Sequence, residues 1–276
     1  SYNFSDKLVF SGGCALNSSA NKILTENKLL FDNVYINYAP GDNGGAIGAA
    51  LVVANKYENK IENLKTPYLG RKFENNEILQ TLNKFKYSKK ISYKFFQKDN
   101  ELYQQVSKLI SENKVIGWFQ DKMEFGPRAL GNRSILADPR NPNMKNIINS
   151  KIKRRESFRP FAPVVLKEKQ IEWFESDYVN QYMCSISQVR VEKRSLVPAI
   201  THIDGSARLQ TVDEFSNYKL SSLIKCFYDI TKVPILLNTS FNENEPIVMS
   251  PEEAIECILR TDLDNLIIDK FIISKN

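Results

Sequence analysis

Arginine and lysine side chains concentrate in one stretch of the 276-residue chain, between residues 122 and 159. That stretch holds ten Lys or Arg residues against three acids, a net charge of +7, whereas the rest of the chain sums to −1. Guanidinium and ammonium groups bind phosphate and carboxylate oxygens. The stretch therefore predicts an anionic partner. The alternative is a solvated basic face, which Lys145 and Lys151 fit better than the arginines do.

Two of the arginines, Arg128 and Arg133, lie in the segment 126–134 (GPRALGNRS), directly after an apolar strand predicted at 115–119. Glycine lets the backbone approach a ligand closely, and forked guanidinium groups can bind phosphate oxygens in pairs. The segment predicts a phosphate-binding loop. A loop whose arginines pair with carboxylates at a domain contact fits the same pattern.

A second group of cations, Lys153, Arg154, Arg155 and Arg159, precedes a strand predicted at 161–166. Ligands of α/β sheets bind where strands end, so this cluster predicts charges at a sheet edge. The alternative is a surface cluster in which only one or two cations matter, with Arg154 solvated.

Short polar side chains follow another predicted strand, at 233–237; they are Asn238, Thr239, Ser240 and Asn242. Hydroxyl and amide groups at a strand end suit hydrogen bonds to phosphate or ribose. The same residues also form ordinary turns, so the pattern alone leaves both interpretations open.

Three further candidates stand apart from these segments. His202, the single histidine, fits either a structural or a catalytic role. Gly12 and Gly13, with Asn17, form a glycine turn that opens a helix, a geometry that favours anions. Asp42 could ligate a metal or cap the helix that follows it, and the local sequence favours capping.

Other features limit the classes of function. No apolar run is long enough to span a bilayer, and the N-terminus lacks the pattern of a secretion signal, so we expect a cytoplasmic protein without a membrane partner. One histidine and no CxxC pair give no zinc site of Cys/His spacing. None of the cysteines has an activating partner nearby in sequence, so we expect none to be catalytic; they are Cys14, Cys184, Cys226 and Cys257.

The elements that must position these residues alternate between strands and helices, which predicts an α/β fold. Residues 7–56 predict a strand, a glycine turn, a helix, a strand and a small-residue helix, a unit too small to close its own core. A polar connector follows at 57–75. Beyond it we predict a second unit, with a capped helix starting at Ser250; its predicted strands are 91–96, 115–119, 161–166, 233–237 and 266–273.

Seven segments together resemble the carbamoyltransferase family that includes the nodulation-type and antibiotic-tailoring O-carbamoyltransferases. The most specific is MEFGPRALGNRSILADPR at 123–140. The others are SGGCALN at 11–17, PGDNGGAIGAA at 40–50, PYLG at 67–70, KRRESFRPFAP at 153–163, THIDGSARLQTV at 201–212 and LNTSFNENEPIV at 237–248.

The resemblance implies two modules. Residues 1–58 are similar to the C-terminal part of a Kae1-like domain, a partial βα segment of the actin/sugar-kinase type. Residues 59–75 would be the connector. Residues 76–276 resemble a YrdC-like domain, a twisted mixed sheet with helices. In the family the YrdC-like module forms carbamoyl adenylate from carbamoyl phosphate and ATP, and the Kae1-like module transfers the carbamoyl group to a hydroxyl-bearing small-molecule acceptor.

The same resemblance implies site residues. Lys153 and Arg155 match the family's basic pair, and Ser240 and Asn242 match its Ser-x-Asn element. Further catalytic candidates are Arg128, Arg133 and His202; further substrate- or nucleotide-binding candidates are Arg159, Asn238, Thr239, Gly12, Gly13 and Asn17.

The expected cofactors are ATP and Mg²⁺. Fe²⁺ or another divalent metal is expected in the complete enzyme only, where Asp42 matches a family ligand, because the segment with the family's metal-binding histidines has no counterpart in this chain.

Two other functions remain as alternatives. One is threonylcarbamoyl-adenylate synthesis for tRNA modification, since the same module types occur there; the GPRALGNRS string favours the carbamoyltransferases. The other is a non-catalytic RNA-binding module that uses the basic stretch. Its cations stand mostly beside glycine and proline, without evident aromatic stacking platforms, so we expect no nucleic-acid partner. The acceptor and the oligomeric state stay open, with a homodimer among the options.

Overall fold

The structure is a computed structural model that describes residues 5–27, 29, 31–57, 66–88, 90–154, 156 and 160–276. Two of the candidate site residues, Arg155 and Arg159, lie outside the described residues, as does the part of the predicted connector from 59 to 65. The predicted domain boundaries stay predictions.

The N-terminal residues form a small strand–helix–strand–helix unit. Its elements are β1 (Lys7–Phe10), α1 (Ser18–Glu26), β2 (Asn33–Ile36) and α2 (Asp42–Tyr57). The two strands pair in parallel, with Leu8 opposite Val34, as the predicted strand–turn–helix–strand pattern requires. Ala15, in the turn between β1 and α1, is fully buried, whereas no residue of α2 is buried.

The rest of the chain contains ten strands and six α-helices within its described residues. In order they are α3 (Asn75–Tyr87), β3 (Ile91–Phe95), α4 (Asp99–Ser111), β4 (Ile116–Phe119), β5 (Arg133–Ala137), α5 (Met144–Ile148), β6 (Ala162–Leu166), α6 (Gln170–Trp173), β7 (Ser187–Gln188), β8 (Ser206–Ala207), β9 (Gln210–Val212), α7 (Tyr218–Thr231), β10 (Ile235–Ser240), α8 (Pro251–Arg260), β11 (Asn265–Ile268) and β12 (Phe271–Lys275).

Eight strands form one mixed sheet in the order β3-β12-β11-β4-β5-β10-β6-β9. The pairs β4–β11 and β6–β9 are parallel and the others are antiparallel. Every residue of β4, β5 and β6 is buried, because both faces of the sheet are covered. The predicted α/β class, with a mixed sheet preceded by a βα segment, is confirmed.

Capping residues fix where the helices around the sheet begin. The Ser250 hydroxyl accepts the backbone N–H of Glu253, and Pro251 occupies the first turn, which confirms the predicted helix start. The first helix begins at Ser18, later than the start at about Ala15 that the sequence predicts. Residues Gly13–Leu16 form a 3₁₀ turn, and the Asn17 side chain then caps α1 by accepting from Ser19 and Ala20.

The prediction of a single strand at 266–273 is wrong, because this segment forms a hairpin of two strands. The chain reverses at Asp269, whose φ of 47° lies in the left-handed region that aspartate tolerates better than most residues. The strands β11 and β12 then pair antiparallel, with Ile268 opposite Phe271.

Candidate active site

A cavity of about 290 Å³ lies over the C-terminal end of β10. It is lined by Pro127, Arg128, Ala129, Pro160, Phe161, Ala162, Met183, Arg208, Asn238, Thr239 and Ser240. Among these residues two are cations, Arg128 and Arg208, and none is an acid, so the described lining of the cavity carries more positive than negative charge. Such a cavity attracts anions, and its partly apolar walls strengthen that attraction relative to open water.

The loop that carries Arg128 is held by a buried carboxylate. Glu124 accepts backbone N–H groups from Leu130 at 2.6 Å and from Asn132 at 2.8 Å. Gly131, between them, has a φ of 107°, and a Cβ atom at this position would lie 2.3 Å from a methyl carbon of Leu220. The sequence therefore needs glycine at position 131, and Glu124 ties the loop to the strand end that precedes it.

Arg128 lies on this loop with its guanidinium partly buried, and burial lowers its pKa from the ordinary value. Within the described part of the chain it makes no hydrogen bond or ion pair with a protein group. A desolvated cation in this situation is well suited to bind an anionic ligand directly, because the free energy lost on burial is recovered when a phosphate oxygen arrives.

Arg133 is not part of the cavity, and the expectation that it faces a ligand is corrected. Its guanidinium is fully buried and donates to the backbone carbonyl oxygens of Gln120, Asn132 (3.0 Å) and Asp121 (3.2 Å). Its central carbon stands 3.5 Å from the ring centroid of Phe119. Arg133 is therefore a structural residue that joins the start of β5 to the end of β4.

Lys153 contacts Ser240 and Asn242, two of the polar residues predicted at the end of a strand. Its ammonium lies 2.6 Å from the carbonyl oxygen and 3.2 Å from the hydroxyl oxygen of Ser240. It also lies 2.7 Å from the carbonyl oxygen and 2.6 Å from Oδ1 of Asn242, whose Oδ1 accepts the Ser240 hydroxyl at 2.7 Å. The lysine is 2% exposed. The structure thus brings Lys153, Ser240 and Asn242 into one hydrogen-bonded cluster beside the cavity.

Asn238 and Thr239 also line the cavity, as their position at the strand end led us to expect. The Asn238 amide donates to Oε1 of Gln210 at 2.8 Å, which fixes the orientation of its side chain. Its Oδ1 is buried and accepts no hydrogen bond from the described residues. An unpaired buried acceptor on the wall can receive a donor from a ligand, such as an amide or hydroxyl hydrogen.

His202 lines a neighbouring cavity of about 260 Å³, which shares Phe161 and Arg208 with the first. Its Nδ1 lies 3.0 Å from the hydroxyl oxygen of Ser206, which in turn donates to Asp204 at 2.7 Å. Burial lowers the pKa of His202, and the nearby Arg208 lowers it further. The nearby Asp204 opposes this shift. His202 lies next to the cationic cavity and does not line that cavity itself.

The N-terminal glycines lie elsewhere. Gly12 and Gly13 are exposed, the backbone N–H of Gly12 donates to the carbonyl oxygen of Pro40, and the Asn17 side chain is used in capping α1. The structure thus does not bring them to the cavity. The N-terminal unit does touch the site from outside, because a Cβ atom at Gly126 would lie 2.6 Å from the carbonyl oxygen of Tyr38.

Asp42 is exposed at the first residue of α2. No group of three His, Cys, Asp or Glu side chains that could hold a metal occurs within the described ranges.

Arg208 is the functional candidate that the sequence motifs did not single out. It lines both cavities, whereas the reasoning on its segment concentrated on His202. Two cations of the basic stretch are paired with acids and do not line the cavity: Arg140 forms an ion pair with the buried Asp138 at 2.5 Å, and Arg154 pairs with Glu243 at 3.1 Å. The Arg154 side chain is 60% exposed, in keeping with the expectation that it is solvated.

Comparison with known proteins supplies the family of this chain. Residues 107–275 match the model of the carbamoyltransferase C-terminus, and residues 1–51 match that of the carbamoyltransferase N-terminus. Nodulation protein NolO of Bradyrhizobium diazoefficiens is 42% identical over 98% of this chain and 49% of its own length. An uncharacterised protein of Synechocystis sp. is 43% identical over 98% of this chain and 48% of its own length.

The chain spans about half the length of these curated relatives. Among solved structures, full-length HypF in its phosphate- and nucleotide-bound form aligns with a TM-score of 0.42 and 16% identity, over 67% of this chain and 22% of its own. No described helix has the length and apolar character needed to cross a membrane.

Proposed function

This chain belongs to the carbamoyltransferase family, and on that premise we propose that it forms carbamoyl adenylate from carbamoyl phosphate and ATP. The observation that carries the proposal is the cavity over the end of β10, with Arg128 and Arg208 on its wall and no acid among its described lining residues. The carbamoyl group would then pass to a hydroxyl-bearing small-molecule acceptor.

Electrostatics support this choice of substrates. Carbamoyl phosphate and ATP together bring several negative charges into one site, and their mutual repulsion opposes the reaction. Desolvated guanidinium groups counter that repulsion and stabilise charge that develops at phosphorus. Arg128, with its pKa lowered by burial, is placed to act in this way.

The chemical step is a transfer to the α-phosphorus of ATP. Carbamoyl phosphate and water yield carbamate and inorganic phosphate. A carbamate oxygen then bonds to the α-phosphorus while the bond from that phosphorus to the bridging oxygen of the β-phosphate breaks, which releases pyrophosphate. The described residues need supply no covalent nucleophile, because positioning and charge stabilisation can account for most phosphoryl-transfer catalysis. We expect Mg²⁺ to enter with ATP, on its phosphate oxygens.

Lys153 has a positioning role in this proposal. An ammonium group has three donor hydrogens, and four oxygen atoms of Ser240 and Asn242 already surround this one. Lys153 therefore holds the Ser-x-Asn turn in place, and the Ser240 side chain is presented to the cavity.

The RNA-binding alternative finds less support. It requires the cations of residues 122–159 to form an exposed face, but Arg133 and Lys153 are buried and Arg140 is paired with Asp138. Counterion release needs cations that reach the phosphates of a long strand. Two of the eight cations of the stretch that the structure describes therefore lie inside the fold and cannot reach such a strand.

Pyrophosphate release from ATP tests the proposal and separates it from threonylcarbamoyl-adenylate synthesis. We expect release with ATP and carbamoyl phosphate, and none when threonine and bicarbonate replace carbamoyl phosphate. Release only with threonine and bicarbonate would establish the alternative. RNA binding that is tight at physiological salt and indifferent to ATP, with no pyrophosphate release from either mixture, would favour the non-catalytic module.

A further inference from the structure

A third cavity, of about 380 Å³, differs in chemistry from the cavity of Arg128 and Arg208. Its lining residues are Thr66, Pro67, Tyr68, Lys167, Gln181, Tyr182, Gln210, Thr211, Val212, Asp213, Phe215 and Ser216. Its volume lies in the range of small-molecule sites. We call it the tyrosine cavity, after Tyr68 and Tyr182.

The described wall of the tyrosine cavity is electrically neutral. Its two charged side chains, Lys167 and Asp213, form an ion pair at 3.1 Å. Asp213 also accepts the backbone N–H of Ser216 at 2.8 Å, and its pKa is lowered, although burial opposes that shift. In contrast with the cavity of Arg128, nothing on this wall favours an anion over an uncharged molecule.

Three of the lining residues carry aromatic rings: Tyr68, Tyr182 and Phe215. The hydroxyl of Tyr68 donates to the carbonyl oxygen of Leu130 at 3.0 Å and accepts the Asn217 amide at 2.9 Å, so that ring is fixed. Tyr182 packs in the same cluster. Phe215 is 92% exposed although it is a large apolar residue, and it lies on the wall of the same cavity. Fixed and exposed rings of this kind can stack with a planar ligand.

One buried polar group on the wall lacks a partner. Thr211 is 1% exposed, and its hydroxyl forms no hydrogen bond within the described part of the chain. Buried hydroxyls are normally paired, and an unpaired one costs free energy of folding unless a ligand or water completes it. Gln181, also on the wall, adds an amide group that can donate and accept.

A small apolar cluster lies between the tyrosine cavity and the cavity of Arg128 and Arg208. Leu130, Ala162 and Met183 form this cluster, with Tyr68 and Tyr182 packed against it. Ala162 and Met183 face the cationic cavity, whereas the two tyrosines face the other. The tyrosine cavity is therefore a separate site rather than an extension of the cationic one.

We propose that the tyrosine cavity binds an uncharged, planar ring with a hydrogen-bonding edge, the chemistry of a nucleobase in a nucleoside. The ring stacks between the aromatic side chains, and the Thr211 hydroxyl bonds its polar edge. Phosphate groups contribute nothing to binding there. This site is additional to the one that the proposed function uses.

Titration calorimetry with adenosine tests the proposal on the whole chain. We expect saturable binding, weakened about tenfold by Thr211→Val, which removes the hydroxyl but keeps the shape of the side chain. Thr81→Val is the matched control, because it removes a hydroxyl that bonds only the Glu77 carbonyl oxygen on α3. It should leave adenosine binding unchanged.

A second pair of variants guards against misfolding. Phe215→Ala removes an exposed ring, so the fold should tolerate it, and we expect adenosine affinity to fall at least about fivefold. Tyr87→Ala removes another exposed ring, away from the cavity, and should have no effect. Thermal unfolding would verify that all four variants fold.

The outcomes of this test differ from those for carbamoyl-adenylate formation. Adenosine binding that Thr211→Val and Phe215→Ala leave unchanged, or no binding of adenosine at all, would overturn the site even in a protein that releases pyrophosphate. Binding that these two variants weaken would support the site even in a protein that releases none.

Discussion

The ammonium nitrogen of Lys153 lies 2.6 Å from the carbonyl oxygen of Ser240, a residue 87 positions further along the chain. This contact joins the end of the π-helical turn Asn149–Lys153, which follows α5, to the end of β10. Because the ammonium is 2% exposed and surrounded by oxygen atoms, it fixes the strand end that forms one wall of the cationic cavity.

Replacement of Lys153 by methionine should reduce both activity and stability. The variant keeps the length of the side chain but leaves the oxygen atoms of Ser240 and Asn242 without their donor, at a cost of about 1–3 kcal/mol. We expect a lower midpoint in urea and a loss of pyrophosphate release that exceeds the loss of folded protein. Lys151→Met, at an exposed position two residues away, is the control and should change neither quantity. Activity that survives in the folded Lys153 variant would contradict the positioning role.

Arg128→Lys should impair catalysis without loss of the fold. Lysine keeps the positive charge but lacks the planar fork that binds two phosphate oxygens at once. A reduction in kcat of about 10²-fold is expected, similar to the loss of one donor from a preorganised charge-stabilising site. Lys122→Ala, an exposed cation of the same basic stretch, should leave kcat unchanged. If Arg128→Lys and Lys122→Ala changed kcat equally, the shape of the Arg128 guanidinium would have no special part in catalysis.

Gly131→Ala should destabilise the loop that carries Arg128. The added Cβ atom would meet Leu220 at 2.3 Å, and the φ of 107° is strained for any residue with a side chain. The cost is about 1–3 kcal/mol, which corresponds to a fall in Tm of several degrees in a chain of this size. Gly48→Ala, in the exposed helix α2 with open space around it, is the control and should not lower Tm. A Tm unchanged by Gly131→Ala would show that the loop is not held as described.

His202 should make the fold sensitive to acid. Burial lowers its pKa below the ordinary value of 6.5, so the unfolded chain binds this proton more readily than the folded protein does. The free energy of unfolding therefore falls as the pH drops from about 7 through 6.5 towards the folded-state pKa of His202. It rises again when the pH is raised back to about 7. His202→Asn should flatten this part of a plot of the free energy of unfolding against pH. An identical slope in the variant would assign the acid sensitivity to other groups.

Local patterns predicted much of the fold, and long-range contacts explain what they missed. Apolar runs located β4, β6 and the start of β10, because a buried strand needs continuous apolar residues. The strand β5 escaped because it begins with Arg133 and Ser134, whose polar character does not indicate burial. Only contacts with distant backbone carbonyl oxygens allow that arginine inside the fold.

The candidate site was predictable to a similar extent. Family motifs located Arg128, Lys153 and Ser240, and the structure places all three in or beside one cavity. The sequence could not show that Arg133 donates its hydrogen bonds to backbone carbonyl oxygens. Arg128 and Arg133 lie in one segment of the sequence, and only their surroundings in the fold distinguish their roles. Arg208 was not predicted as a site residue, because nothing in the sequence around it indicates that its side chain lines a cavity.

Exchange of labelled pyrophosphate into ATP tests the central claim most directly, because it reports formation of the adenylate without any need for an acceptor. With this chain, ATP and Mg²⁺, the proposed reaction predicts that label enters ATP when carbamoyl phosphate is present, does not enter when it is omitted, and does not enter with Arg128→Lys at a comparable rate. Exchange that is independent of carbamoyl phosphate, or no exchange by well-folded protein that binds both substrates, would contradict carbamoyl-adenylate formation by this site.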